Sequence, residues 1–204
     1  MNWPLPPFSL PIYLPILVLS SLFLIPCTFS PSSLFLNPNL LALFMAYRIP
    51  TDTHIGHIHL KVADLERALS FYHDLLGFEI TQRYGDQAVF LSAGGYHHHI
   101  GLNTWYSKGA PAAPLRSAGL FHTAIVYPER KDLAAVLRRL NEAGYPLTGA
   151  ADHGVSEALY LNDPDNNGVE LYWDRPNEQW PLDEKGNLMM VTEHLDLEAL
   201  SLEM

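Results

Sequence analysis

The sequence predicts an α+β fold made from two copies of one βαβββ unit, paired into a curved mixed sheet. Three observations carry that prediction. From residue 48 onward, strand-like and helix-like patterns recur twice in the same order. The landmarks keep nearly constant offsets: His57 to His122 is 65 residues, Gly77 to Gly144 is 67, and Gly101 to Glu170 is 69. A lone four-stranded copy would be marginally stable, so two copies gain by burying their sheets together.

The first copy opens with IGHIHLKV (55–62), whose alternation and β-branched residues read as a strand. Asp64 is a candidate N-cap. LERALSFYHDLL (65–76) puts Leu65, Ala68, Leu69, Tyr72, Leu75 and Leu76 on one helical stripe, and Gly77 is a helix stop. FEITQRY (78–84), QAVFLSA (87–93) and HHIGLNTW (98–105) read as three further strands. The second copy opens with LFHTAIVY (120–127), and Pro128 precedes a helix over 131–143 with Leu133, Val136, Leu137 and Leu140 inward. Gly144 ends that helix; YPLTGA (145–150), EALYLN (157–162) and GVELYW (168–173) complete the unit. Module one is therefore 54–106 and module two 120–176, joined by the Gly-, Ala- and Pro-rich linker 107–119. The acidic tail 177–204 ends in LDLEALSL, expected to form a short helix covering an exposed edge.

Composition divides the chain near residue 48. Residues 1–47 hold no Asp, Glu, Lys, Arg, His or Gly, yet contain 8 of the 16 prolines. All 22 acidic and 12 basic residues lie in 48–204, the domain proper. The net charge of -10 argues against nucleic-acid binding, which needs a basic surface. The single cysteine, Cys27, excludes an intrachain disulfide framework. Residues 9–25 are apolar enough to enter a bilayer, but Pro11 and Pro15 interrupt them and no basic residue precedes them. Three readings stay open for 1–47: a membrane anchor, an atypical signal, or a stretch upstream of a native start at Met45. The favoured third reading makes the protein cytoplasmic; the first makes it membrane-anchored.

The repeat creates four matching slots. The opening strands offer His57 and His122, and the closing strands offer Gly101 and Glu170. Two neutral imidazoles and one carboxylate are the facial set of non-haem Fe(II) oxygenases, which leaves positions for guests. The expected site is therefore a metal held by His57, His122 and Glu170 at the centre of the paired modules. Glycine at 101 removes a fourth donor, which would have suited a Lewis-acid ion such as Zn or Ni. Glu170 lies between Val169 and Leu171, where an unpaired carboxylate would be costly without a cation or hydrogen bonds. His59 is expected on the face opposite His57, as packing or support. Strand parity sets His98 against the Gly101 slot unless a turn at Gly94–Tyr96 resets it. DPDNNG (163–168) is a turn signal, and its likeness to a calcium loop is rejected because no helices flank it.

GHIHLKVADLERALSFYHDLLGF, LFHTAIVY and LYLNDPDNNGVELYWDRP together resemble the vicinal oxygen chelate superfamily. Within it the pattern is most similar to the catechol-2,3-dioxygenase-like extradiol branch. The resemblance covers about 46–200 and implies the vicinal oxygen chelate fold. It implies Fe(II) at His57, His122 and Glu170, with Mn, Zn or Ni as other divalent candidates. It also implies His98 as acid/base, Tyr160 as hydrogen-bond donor to bound substrate, and His153 at the pocket rim. The substrates implied are a small aromatic vicinal diol and O2, as in the catabolism of aromatic compounds. A glyoxalase-like metal-dependent isomerase or lyase, or a small-molecule-sequestering protein of the same fold, are the alternatives. A homodimer is expected because paired sheets often associate.

Overall fold

The computed structural model describes residues 47–114 and 116–203. The described residues from 54 onward form one compact unit, and 47–53 lie outside it. The anchor, signal or upstream-stretch readings of 1–47 thus fall almost wholly outside the described residues. Among the described residues, no helix is long and apolar enough to cross a membrane.

Module one runs β1 (Ile58–Lys61), α1 (Leu65–Leu69), β2 (Glu79–Tyr84), β3 (Ala88–Ser92) and β4 (Ile100–Asn103). Module two runs β5 (Thr123–Tyr127), α2 (Arg130–Glu142), β6 (Gly149–Asp152), β7 (Ser156–Asn162) and β8 (Gly168–Asp174). The tail adds β9 (Glu193–His194) and α3 (Leu197–Ser201). Hydrogen bonding divides the expected curved sheet into two mixed sheets, ordered β1-β4-β3-β2 and β5-β8-β7-β6-β9. In each, the opening and closing strands run parallel and the remaining pairs antiparallel. This is the βαβββ topology in both halves.

Local chemistry explains the elements. Asp64 accepts from the Arg67 amide at 2.9 Å and starts α1. The helix then widens into a π-helical turn over Ser70–Leu75, which buries the consecutive Phe71 and Tyr72. Gly77 and Gly144 stop the two helices with φ of 89° and 63°, a conformation glycine adopts without strain. The strand expected at 145–150 begins only at Gly149. Tyr145 instead folds back, its amide on the Leu140 carbonyl and its ring 5.1 Å from Phe71.

Alternate residues of each sheet enter one apolar cluster that spans both modules. Leu60, Val89, Leu91, Ile100 and Leu102 face it from module one, and Leu159, Leu161, Val169 and Leu171 from module two. The DPDNNG turn clasps the modules together. Tyr72 donates to Asp163 Oδ2 at 3.0 Å, and Asp165 receives the Ala63 amide and the Arg67 guanidinium. Arg139 reaches back to the Asp74 and Leu75 carbonyls at 2.7 and 2.9 Å. The tail covers the β6 edge through β9 and not through its helix as expected, while Leu195 and Leu200 are buried. Buried Glu157 lies between Arg130 and Arg175, and Arg130 also grips Glu203.

The residues that alternate with Leu60, Ile100 and Leu102, among them His57, His59 and Gly101, lie on the sheet face opposite the core. Glu170, Tyr160 and His122 lie on the face turned away from α2. Both sets thus line the open side of their sheets.

Candidate metal and substrate site

Module two assembles a line of polar groups. Glu170 sits on β8 between β5 and β7, directly opposite Tyr160. The Tyr160 hydroxyl donates to Glu170 Oε1 at 2.8 Å. Burial and the Glu170 carboxylate push the Tyr160 hydroxyl well above its ordinary range, so it stays protonated. Glu170 Oε2 lies 3.0 Å from His122 Nε2, and its side chain is 14% exposed, which makes that pairing count. At the other end, His153 Nε2 lies 2.7 Å from the Tyr160 hydroxyl, and His153 Nδ1 lies 2.9 Å from the Val191 carbonyl. Four sequence-selected residues therefore touch in the order His122, Glu170, Tyr160, His153.

His122 reaches Glu170 because β5 starts pressed against β8. A Cβ built on Gly168 would lie 2.1 Å from the Phe121 carbonyl oxygen and 3.1 Å from His122 Cβ. Glycine at 168 is a steric requirement of this approach, beyond its place in the turn.

Module one brings together rings. His57 and His98 have centroids 4.4 Å apart, and His98 lies 5.0 Å from Phe90. His98 reaches His57 because β4 begins only at Ile100, so residues 93–99 are irregular and strand parity does not govern them. His97 Nδ1 and His98 Nδ1 approach to 2.7 Å, and His99 Nδ1 meets Ser92 Oγ at 3.1 Å. The expectation for His59 is corrected: residues two apart on a strand share a face, so His59 lies beside His57 and not opposite it. It crosses Gly101, its register partner on β4. Burial and the neighbouring His57 lower the His59 pKa, and burial with His57 and the other histidines lowers that of His98.

His57 is the one proposed ligand that does not join the line in module two. Among the described residues, no group of three His, Cys, Asp or Glu side chains is close enough to hold a metal ion. His122 and Glu170 do meet the requirement of a ligand pair. Two ligands about 2.1 Å from one ion and at right angles to each other lie about 3 Å apart. Their observed separation is 3.0 Å, and the donors are an imidazole and a carboxylate. His122 Nδ1 is buried and finds no hydrogen-bond partner among the described residues, while Nε2 faces Glu170.

Three contributors escaped the sequence. The parity of His59 was available from counting alone. The closeness at Gly168 needed the parallel register of β5 on β8. The Val191 carbonyl belongs to a tail whose path to His153 has no local signal.

Two βαβββ modules, each presenting polar side chains on the open face of its sheet, define the fold class. A family model for the Glyoxalase/Bleomycin resistance protein/Dioxygenase superfamily matches residues 54–171, and the chain belongs to that superfamily. It is 43% identical over 153 residues to the catechol-2,3-dioxygenase of Bacillus subtilis, covering 74% of this chain and 52% of that protein. It is 32% identical over 121 residues to biphenyl-2,3-diol 1,2-dioxygenase 3 of Rhodococcus globerulus, covering 59% of this chain and 63% of that one. The chain thus spans about half the length of the first relative and under two thirds of the second. A solved glyoxylase/bleomycin resistance protein/dioxygenase domain from a Frankia species superposes with a TM-score of 0.51 at 25% identity, covering 60% of this chain and 98% of that chain.

Proposed function

We propose that the protein is an extradiol ring-cleaving dioxygenase acting on a catechol-type aromatic vicinal diol with O2. The observation that carries the reading is the continuous polar line from His122 through Glu170 and Tyr160 to His153. Likeness to two proteins named as diol dioxygenases supports it. His57, His122 and Glu170 would hold a divalent metal, Fe(II) first, with Mn, Zn or Ni as substitutes. When bound, the metal supplies positive charge that eases loss of a diol proton, and a redox centre for O2.

The protein's own groups manage that proton. The Tyr160 hydroxyl, which carries one hydrogen, meets both Glu170 Oε1 and His153 Nε2, so it can pass a proton from bound substrate along this line. Tyr160 presents its hydroxyl oxygen at the middle of that line, and His153 holds it in place from behind. His98, beside His57 in module one, would donate or accept a proton at the substrate.

A glyoxalase-like isomerase would be expected to use a fourth donor from β4. That position is Gly101, covered by His59, which counts against this alternative. The test is O2 uptake by anaerobically Fe(II)-loaded protein against a panel of catechols. Stoichiometric O2 consumption with a yellow ring-opened product supports the reading. Turnover of a thiol hemiacetal without O2 uptake overturns it in favour of the isomerase.

A further inference from the structure

We propose that His59 is a specificity-determining residue: its imidazole sets how large a ring substituent the site admits, favouring compact single-ring diols over those carrying a second ring. This rests on the reading of His57 as a ligand at a diol-binding site.

The two modules differ at one pair of positions. In module two the closing strand carries the bulky Glu170, and its register partner on the opening strand is the small Ala124. In module one the sizes are reversed: the closing strand carries Gly101 and the opening strand His59. The fit is tight. A Cβ on Gly101 would come within 2.8 Å of His59 Cδ2, so the ring lies flat across the glycine. It is flanked by Trp105 at 5.5 Å and Phe90 at 5.9 Å between ring centroids. With Phe90–His98 and His98–His57 in contact, five rings form one wall running from His57 to Trp105.

His59 makes no hydrogen bond or ion pair with any described residue, although its ring is accessible. The ring edge from Cγ through Cδ2 to Nε2 lies over Gly101, so the exposed imidazole occupies the sheet face beside His57. The strand rise sets His59 about 6.6 Å beyond His57. That is roughly where the far edge of an aromatic ring falls when its two oxygens are held beside His57. A flat ring would lie along the wall, stacking on Phe90 and Trp105. A group attached next to the diol would meet the His59 imidazole. A hydroxyl or other small polar group finds a hydrogen-bonding partner there, and a phenyl group finds a barrier.

The experiment compares kcat/KM for catechol and for biphenyl-2,3-diol in wild type, His59→Ala, His59→Phe and Gly101→Ala, with metal content measured in each. His59→Ala should raise the biphenyl-diol to catechol ratio by about tenfold or more. His59→Phe keeps the volume and should keep the wild-type ratio. Gly101→Ala pushes the ring into the site and should lower the ratio. All should hold wild-type metal. An unchanged ratio in His59→Ala overturns the proposal while leaving the ring-cleavage reading intact. Loss of metal in His59→Ala also overturns it, by making His59 a ligand. A wild type that holds metal and cleaves neither diol overturns the ring-cleavage reading, and this proposal with it.

Discussion

Gly168→Ala tests how the site is built. Gly168 lies where β5 begins to run alongside β8, and a methyl group there would sit 2.1 Å from the Phe121 carbonyl oxygen, where real contacts are not found under 3.0 Å. The start of β5 must therefore move by roughly 1 Å, the scale of overpacking that costs about 1–3 kcal/mol. β5 is an edge strand, so the stability loss should fall at the lower end of that range. The functional loss should be larger, because the moving backbone carries His122. Displacing a positioned group by about 1 Å costs on the order of 10²-fold. Urea unfolding should give a slightly lower midpoint at an unchanged slope, and anaerobic Fe(II) titration should give markedly weaker binding. Wild-type iron affinity in a folded variant would refute the argument that the Gly168 approach places His122.

Other expectations follow from single contacts. Tyr160→Phe removes the hydroxyl shared by Glu170 and His153; iron content should hold while kcat falls by about 10²-fold, read by O2 uptake. Glu157→Gln leaves Arg130 and Arg175 partly uncompensated around a buried side chain, and urea unfolding should register a loss of about 3 kcal/mol. His59 and His98 have pKa values below the ordinary 6.5, so the folded chain holds their protons less tightly than the unfolded chain. Stability from these two is complete above pH 6.5 and falls as the pH drops below it. Replacing both by Asn should flatten the fall in urea midpoint between pH 7.5 and 5.5, two values chosen to bracket about 6.5.

The architecture was legible because it is written twice. Gly77 and Gly144 mark the helix ends through a backbone requirement that no other residue meets as easily, and the apolar stripes between caps and stops are local signals. His122, Tyr160 and Glu170 were legible through the repeat and a resemblance, and they meet because β5, β8 and β7 are neighbours. His98 was obscured because a strand rule was applied to a segment that is not strand. His59 was misplaced by a miscount of the same period, which a register-pairing argument against Gly101 corrects. Asp163 and Asp165 read as turn residues, yet they also bind Tyr72 and Arg67 across the modules. A clasp between segments some 90 residues apart leaves no local trace. The same holds for Val191, whose carbonyl orients His153 from the tail.

His57 carries the greatest weight in this account, because it stands apart from the pair formed by His122 and Glu170. Iron content of anaerobically purified wild type, His57→Ala and His122→Ala, with folding checked by circular dichroism, tests it most directly. The account predicts one ferrous ion per wild-type chain and none retained by either folded variant. Stoichiometric iron in His57→Ala, with catechol turnover intact, would contradict it.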